Sequence, residues 1–296
     1  MASMKELRAR IGGVKSTRKI TNAMKMVAAS KLRRAQVQAE SAKPYADTMY
    51  RMMGELASTV QGADPSSLPR LMAGTGKDQT HLLIVMTSDR GLAGGFNANI
   101  VRQARHYIDE LHSQGKTVRL LPVGRKGGDV LKRYYPDAIV DILSSDTGQG
   151  DSFGQAASIA QHVSKMLDKG EIDCCTLMRN LFVNAMTQTP ERIGLVPLPV
   201  AENDNQQADA DTAQYEFEPN DEELLAQLLP RNLEVQIYAA LLESAAGEQG
   251  ARMTAMDNAS RNASKAIDNL SLRYNRTRQT NITNELIEII SGAEAV

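Results

Sequence analysis

The stretch spanning residues 231–292 limits what this chain can fold into more than any other. Its apolar residues recur at alternating intervals of three and four, the spacing of a helical stripe that faces another helix. The stripe runs through Met253, Met256, Ser260, Ala263, Ile267, Leu270 and Tyr274. A helix of about 60 residues, at about 1.5 Å each, extends for roughly 90 Å and cannot bury such a stripe alone. The rest of the chain must therefore supply a second long helix.

Residues 1–60 provide that second helix. Apolar residues recur there with a helical period whose phase shifts from block to block, and no glycine lies between Gly13 and Gly54. A strict seven-residue repeat gives a regular coiled coil, whereas shifting blocks give an irregular one. We therefore predict that the two ends of the chain pair as an antiparallel coiled coil with an irregular surface, and that the longer C-terminal helix ends in a tip without a partner helix.

Between these helices, apolar runs alternate with helical patterns, which is typical of an α/β domain with a mainly parallel sheet. The predicted strands span residues 81–87, 118–123, 138–143, 173–183 and 192–200, and the predicted helices 98–113, 129–135 and 153–169. The predicted fold class is α/β, with a long antiparallel two-helix coiled coil formed by the N- and C-terminal helices plus a central Rossmann-like domain. The predicted segments are a helix at 1–60, a linker at 61–79, an α/β foot domain at 80–200, an acidic connection at 201–223 and a C-terminal helix at 224–296.

Charge is distributed unevenly along a chain whose net charge is −1. Residues 1–60 carry twelve basic and four acidic side chains, whereas residues 202–223 carry nine acidic ones and no Lys or Arg. A basic helix can bind nucleic acid through phosphates, which leaves a coiled-coil nucleic-acid-binding protein as an alternative. Tryptophan is absent and only four Phe and eight Tyr occur, so few rings are available to stack on bases. A helix that faces protein partners is the favoured interpretation.

The two cysteines, Cys174 and Cys175, are adjacent and lie in an apolar run. Adjacent cysteines rarely form a disulfide and no second pair completes a metal site, so we expect reduced, buried thiols in a cytosolic protein. No apolar run approaches the roughly 20 residues of a membrane span, and the start of the chain is too charged for a signal peptide. We therefore expect a soluble, cytoplasmic protein.

The glycine-rich turn at residues 88–97 is the best candidate for a nucleotide site, which makes a nucleotide-binding enzyme a third hypothesis. Its glycines, Gly91, Gly94 and Gly95, fit neither the dinucleotide-binding spacing nor a P-loop, so a tight strand-to-helix turn is favoured. The four histidines are scattered and no Gly-x-Ser-x-Gly elbow occurs. The sequence therefore predicts no catalytic residue, cofactor or metal site on this chain.

The polar end of the C-terminal helix, residues 273–285, places Arg, Gln, Thr and Glu on all sides of the helix. Such a segment buries poorly against one neighbour but suits contacts to several partners around it. An apolar stripe then resumes in a shifted phase at Ile282, Leu286 and Ile289. We predict that this end of the helix contacts protein on every side.

At these residues the chain resembles the gamma subunit family of F-type ATP synthases, and the resemblance covers essentially its whole length. Its specificity comes from two terminal helical signatures that flank a matching middle. The matching stretches are KITNAMKMVAASK at 19–31, TSDRGLAGGFN at 87–97, ARMTAMDNA at 251–259 and YNRTRQTNIT at 274–283.

The resemblance implies a rotary shaft without a catalytic site of its own. In this family the coiled coil stands inside a hexamer of alternating alpha and beta subunits, while the foot joins the epsilon subunit and the membrane ring of c subunits. Proton flow turns the ring and the shaft, which couples proton translocation to ATP synthesis. The resemblance also implies a peripheral location on the cytoplasmic face of the bacterial inner membrane, with membrane association only through the complex.

The family's functional positions can be matched one at a time. Those that hydrogen-bond the catch loop of the beta subunit correspond to Arg278, Gln279, Thr283 and Glu285. Shaft positions that face the hexamer correspond to Met24, Arg252 and Met256. Tyr215 falls where the family's foot approaches the c ring.

Overall fold

The structure, a computed structural model, describes residues 3–59, 68–145, 152–198 and 221–294, with the backbone alone at 55–59, 221–227, 292 and 294. In chain order the elements are α1 Met4–Thr59, α2 Arg70–Ala73, β1 Thr80–Met86, α3 Phe96–Ser113, β2 Thr117–Val123, α4 Arg125–Tyr134, α5 Ser152–Asp168, β3 Cys174–Phe182, β4 Gln188–Val196 and α6 Asp221–Glu294. The chain divides into two compact units, residues 1–30 with 252–296 and residues 31–251. Helices α1 and α6 each contribute a segment to both units.

In the first unit the predicted stripe of α6 is the packed face of the helix. All seven stripe residues are buried or half-buried, and the most enclosed are Met256, Ala263 and Ile267. The α1 segment of this unit buries Leu7, Thr21 and Ala28. Lys25 of α1 and Asp257 of α6 also form an ion pair, with Nζ 2.6 Å from Oδ1. The spacing of three and four thus marks the seam between two helices.

In the second unit the same two helices run antiparallel. The side-chain amide of Gln236 donates a hydrogen bond from Nε2 to the backbone carbonyl of Ala46 at 3.4 Å, and Met53 shares a buried cluster with Leu229. Moving seven residues forward along α1 therefore corresponds to moving seven backward along α6. The predicted fold class, a long antiparallel helix pair with a central α/β part, is confirmed.

The sheet of the second unit has the order β2-β1-β3-β4 among the described residues. Strand β1 pairs in parallel with both β2 and β3, while β4 pairs antiparallel with β3. Pro190 lies in β4, at the edge of the sheet, where a missing N–H is tolerated. The prediction of a mainly parallel sheet is confirmed, although β4 begins at Gln188 rather than at residue 192.

The predicted strand at residues 138–143 is wrong. This segment runs beside β2 but makes only two isolated bridges, Leu120 to Ile139 and Val123 to Leu143. The cause is Pro122, whose carbonyl accepts from the amide of Leu143 at 2.9 Å and therefore faces this segment. The nitrogen of a strand residue points to the same side as its carbonyl, and in proline it has no hydrogen to donate. The ladder is interrupted at that point.

Both faces of the sheet are covered by helices. On one face Ile84 packs in a buried cluster with Ile159 of α5 and Ile237 of α6. On the other face Val85 packs with Ile100 of α3 and with Leu131 of α4. Helix α6 is part of one covering layer, so one of these two buried clusters includes a segment of the long helix.

Asp173 fastens the amino ends of β1 and β3. Its carboxylate accepts hydrogen bonds from the Thr75 hydroxyl, from the amide of Gln79 at 3.1 Å and from the amide of Thr80 at 2.8 Å. Burial alone raises the pKa of this carboxyl, but the hydrogen bonds outweigh burial and hold the pKa of Asp173 below its ordinary value of 3.8. The ionised form is therefore the one that the fold stabilises.

We expect Asp173→Asn to lower the free energy of unfolding by about 1–3 kcal/mol at neutral pH, because a charged hydrogen-bond acceptor is lost. Since folding lowers the pKa of Asp173, its contribution is present above the unfolded value of 3.8 and is lost as the pH falls through the folded value. Urea unfolding from pH 3 to pH 7 measures this. Asp137→Asn, at an exposed site, is the control, and a wild-type advantage that persisted unchanged in acid would contradict the assignment.

Candidate functional site

The C-terminal end of α6, residues 278–291, is exposed at every position and is here called the tip. It presents both polar and large apolar side chains, although apolar groups of this size are normally covered. The apolar set is Ile282, Leu286, Ile287, Ile289 and Ile290, each between 50% and 73% exposed. Exposed large apolar side chains clustered on one segment are typical of a surface that binds another protein or a membrane.

Helical geometry places the predicted catch-loop residues together on the tip. Gln279 and Thr283 are four residues apart and therefore share a face of the helix. The Thr283 hydroxyl donates a hydrogen bond to the backbone carbonyl of Gln279 at 2.9 Å. Arg278 and Glu285 are seven apart and lie one above the other on the adjoining strip of the helix. All four side chains are exposed. The structure therefore brings them to one accessible surface, with Ile282 among them.

The three predicted shaft positions differ in accessibility within the first unit. Met24 and Arg252 are half-buried, so each offers part of its side chain outward. Met256 is only 5% exposed and fills the seam between the helices. Beside Met24, the side chains of Met26 and Val27 are 61% and 56% exposed, so the outward apolar surface of α1 lies next to the predicted residue.

An ion-pair cluster on the same pair of helices was not predicted. Asp257 is bound by Lys25 at 2.6 Å and by Arg261, whose Nη2 lies 2.7 Å from Oδ2. The hydrogen bond from Lys25, followed by the charge of Arg261, lowers the pKa of Asp257. Lys25 and Asp257 are 232 residues apart in the chain, so no local spacing could have revealed the pair.

Tyr215, the predicted foot contact, lies outside the described residues.

The glycine-rich turn connects β1 to α3 and uses its polar groups internally. The side-chain oxygen Oδ1 of Asn97 accepts a hydrogen bond from the backbone amide of Ser88 at 2.9 Å. The Asp89 carboxylate accepts from the amide of Arg125 at 2.9 Å and from the Ser144 hydroxyl at 2.6 Å. The bonds of Asp89 join the turn after β1 to the start of α4 and to Ser144. The structure therefore supports a tight strand-to-helix turn here and gives no support to a nucleotide site.

Among the residues that the structure describes, one group of side chains has the donor types that could hold a metal ion. Asp78, His81 and Cys174 place one ligand atom each within 4.8 Å of one another. Asp78 is already bound by Lys116, with Nζ 2.5 Å from Oδ2, and by His81 Nε2 at 2.6 Å. The hydrogen bond from Lys116 is the main reason that the pKa of Asp78 is lowered. The carboxylate charge is thus compensated by protein groups.

The two cysteines are both free, and they differ in burial. Cys175 is fully buried, whereas Cys174 is only partly buried, so the expectation of two buried thiols holds for one of them. Burial, followed by the charge of Asp78, raises the pKa of the Cys174 thiol to about 11. Burial also raises the pKa of Cys175. Both thiols are therefore protonated and poorly reactive at neutral pH.

Comparison with known proteins identifies the family. The sequence profile described as ATP synthase matches residues 3–296. The ATP synthase gamma chain of Gluconobacter oxydans is 72% identical over 100% of both chains. The chain belongs to the ATP synthase gamma-chain family. The gamma chain of Gluconacetobacter diazotrophicus is 62% identical, again over 100% of both chains.

Solved structures agree with this membership in the gamma-chain family. The central stalk and c-ring structure of Tetrahymena thermophila mitochondrial ATP synthase contains a chain that is 32% identical, with a TM-score of 0.63, over 81% of this chain and 99% of the other. A chain of the Euglena gracilis mitochondrial ATP synthase, in a structure of OSCP, F1 and c-ring, has a TM-score of 0.69 at 21% identity. The match covers 99% of this chain and 94% of the other. The second likeness supports the fold. None of the helices in the described ranges has a stretch long and apolar enough to cross a membrane.

Proposed function

We propose that this chain is the central rotary shaft of an ATP synthase. It transmits torque from the proton-driven c ring to the alpha/beta hexamer, so that ATP synthesis or hydrolysis is coupled to proton translocation. The observation that carries the proposal is the exposed tip, whose apolar and hydrogen-bonding side chains need protein around them. The family membership and the likeness to a central stalk bound to a c ring support it.

A shaft shifts the states of its neighbours only by contacting them unequally. Reversing a two-state equilibrium from 1:99 to 99:1 requires a differential of about 5.5 kcal/mol. Hydrogen bonds to charged groups contribute about 1.5–3 kcal/mol each, so two to four of them made in one orientation and lost in another suffice. The tip carries that number of suitable donors and acceptors on two adjoining strips of the helix: Arg278, Gln279, Thr283 and Glu285.

The individual contacts form part of the same proposal. Arg278, Gln279, Thr283 and Glu285 bind the catch loop of a beta subunit, while Met24 and Arg252 face the hexamer along the shaft. Met256 acts from within the seam, by keeping the two helices in register, because little of it is exposed. Tyr215 contributes to the contact of the foot with the c ring.

The remaining partner of the foot is the epsilon subunit. The chain associates with the membrane through the complex, on the cytoplasmic face of the inner membrane, and the chemistry of ATP takes place on other subunits. The alternative, nucleic-acid binding by the basic helix, is supported by none of the comparisons.

Reconstitution tests the proposal. Membrane vesicles and all other ATP synthase subunits are prepared without this chain, and proton-driven ATP synthesis is measured before and after it is added. We expect synthesis to appear only on addition and to be abolished by a protonophore. Complexes that assemble with this chain but hydrolyse ATP without moving protons would contradict the proposed function.

A further inference from the structure

A short face of α6 is held unusually closely by the α/β part of the second unit. Glu243, Gly247 and Gly250 are spaced by four and three residues, so they lie along one side of the helix. Opposite them are the hairpin of β3 and β4 and the start of α3. We call this contact the clamp. It lies wholly within the second compact unit.

The first half of the clamp is an enclosed ion pair. Arg179 of β3 is 15% exposed, and its Nη1 lies 2.8 Å from Oε2 of Glu243, which is 24% exposed. The same guanidinium reaches Glu191 of β4, with Nε 3.0 Å from Oε2. The guanidinium donates a hydrogen bond to Glu191, which fixes its direction, whereas its contact with Glu243 is an ion pair without a hydrogen bond. Breaking such an enclosed pair leaves a partly buried charge without its counterion, so it costs more than breaking an exposed pair.

The second half is close packing against two glycines. A Cβ on Gly247 would lie 3.2 Å from the ring of Phe96, and one on Gly250 would lie 3.1 Å from the ring of Phe182 and 3.2 Å from Cα of Ala185. Glycine weakens a helix interior, so two of them three residues apart in α6 need a reason. The reason is the approach of the hairpin and the ring to the helix backbone, which a side chain would prevent.

The hairpin of β3 and β4 and the start of α3, which pack against α6, also contact each other. Asn180 is 1% exposed, and its side-chain amide donates to the carbonyl of Phe96 at 3.3 Å. Phe96 in turn shares a buried cluster with Ala93 and Ala251. The hairpin, the glycine-rich turn and the helix therefore form one interlocked contact rather than two separate ones.

We infer that the clamp is the joint through which the α/β part passes torque to α6. A joint under torque must resist both sliding and rotation of the helix on its support, and interdigitated packing together with a two-carboxylate guanidinium opposes both. The inference rests on the proposed rotary function. It assigns Arg179, Glu243, Gly247 and Gly250 a positioning role in coupling, away from the tip residues that contact the hexamer.

The test uses the complete complex in vesicles and measures protons pumped per ATP hydrolysed. We expect Gly250→Leu, which wedges the contact, and Glu243→Gln, which removes the charge with little change of shape, to lower this ratio roughly twofold to tenfold while ATP hydrolysis continues. Gly194→Leu is the matched control, because no atom lies within 4 Å of a Cβ placed at this exposed glycine of β4. It should leave the ratio unchanged.

A conservative replacement separates coupling from folding. Arg179→Lys keeps the charge and should restore part of the ratio that Arg179→Ala loses, at equal amounts of assembled complex. An unchanged ratio in Glu243→Gln and Arg179→Ala would overturn the role of the clamp and leave the rotary function standing. Loss of pumping in the wild-type complex would instead count against the proposed function.

Discussion

Arg278→Ala is expected to lower the rate of proton-driven ATP synthesis by about ten- to a hundredfold. The substitution removes a charged hydrogen-bond donor, and the loss of a hydrogen bond to a charged group costs about 1.5–3 kcal/mol. Each 1.36 kcal/mol corresponds to a factor of about ten in rate. The side chain is exposed in the isolated chain, so the loss arises in the complex. Synthesis by reconstituted vesicles measures it, together with the thermal stability of the free chain, which should not change.

The control for this prediction is Arg133→Ala, which removes an exposed arginine of α4 in the second unit. Gln279→Ala should act in the same direction as Arg278→Ala but by a smaller factor, because a neutral hydrogen bond contributes about half as much as a charged one. Equal rates for Arg278→Ala and Arg133→Ala would show that the tip does not bind through this face.

Gly124→Ala is expected to lower the free energy of unfolding by about 2–6 kcal/mol. Gly124 has φ of +112°, a conformation that costs an L-residue about 1–3 kcal/mol. A Cβ there would also lie 2.2 Å from the carbonyl oxygen of Thr87, and such overpacking costs about 1–3 kcal/mol more. Thr87 cannot retreat easily, because its hydroxyl is bonded to the carbonyl of Gly124 and the amide of Gly127.

Gly115 allows the two causes to be measured separately. It has φ of +74°, but no atom lies within 4 Å of its added Cβ. Gly115→Ala should therefore cost only the conformational part, about 1–2 kcal/mol. Urea unfolding of the two variants gives the difference. If Gly124→Ala proved no more harmful than Gly115→Ala, the close approach of Thr87 would not be what requires glycine.

Local sequence patterns were sufficient to predict the elements in which successive residues on one face share the same buried or exposed environment. The stripe from Met253 to Tyr274 predicted the packed face of α6, because a helix that buries one side repeats its apolar residues at a fixed spacing. The run at 81–87 predicted β1, because a central parallel strand is apolar on both faces. The exposed tip followed from polar residues on all sides.

Features that depend on contacts between distant parts of the chain could not be predicted from local sequence patterns. The segment at 138–143 looks like a strand by itself, and it fails because Pro122 on the neighbouring strand has no N–H to offer. Gly247 and Gly250 look like weak points of a helix, yet their role depends on where Phe96 and Phe182 lie. The catch-loop residues were predicted from the family resemblance, because contacts to other subunits produce no periodic pattern in the sequence.

The most direct test of the central claim is to watch the chain turn. Met186, 82% exposed on the turn between β3 and β4, is replaced by cysteine and labelled with a visible probe. Cys175 is buried, and the pKa of the partly buried Cys174 thiol is raised to about 11, so neither native thiol competes for the label at neutral pH. With the alpha/beta hexamer fixed to a surface, ATP is predicted to drive sustained rotation of the probe in one direction. A probe that only fluctuates while the hexamer hydrolyses ATP would contradict the account.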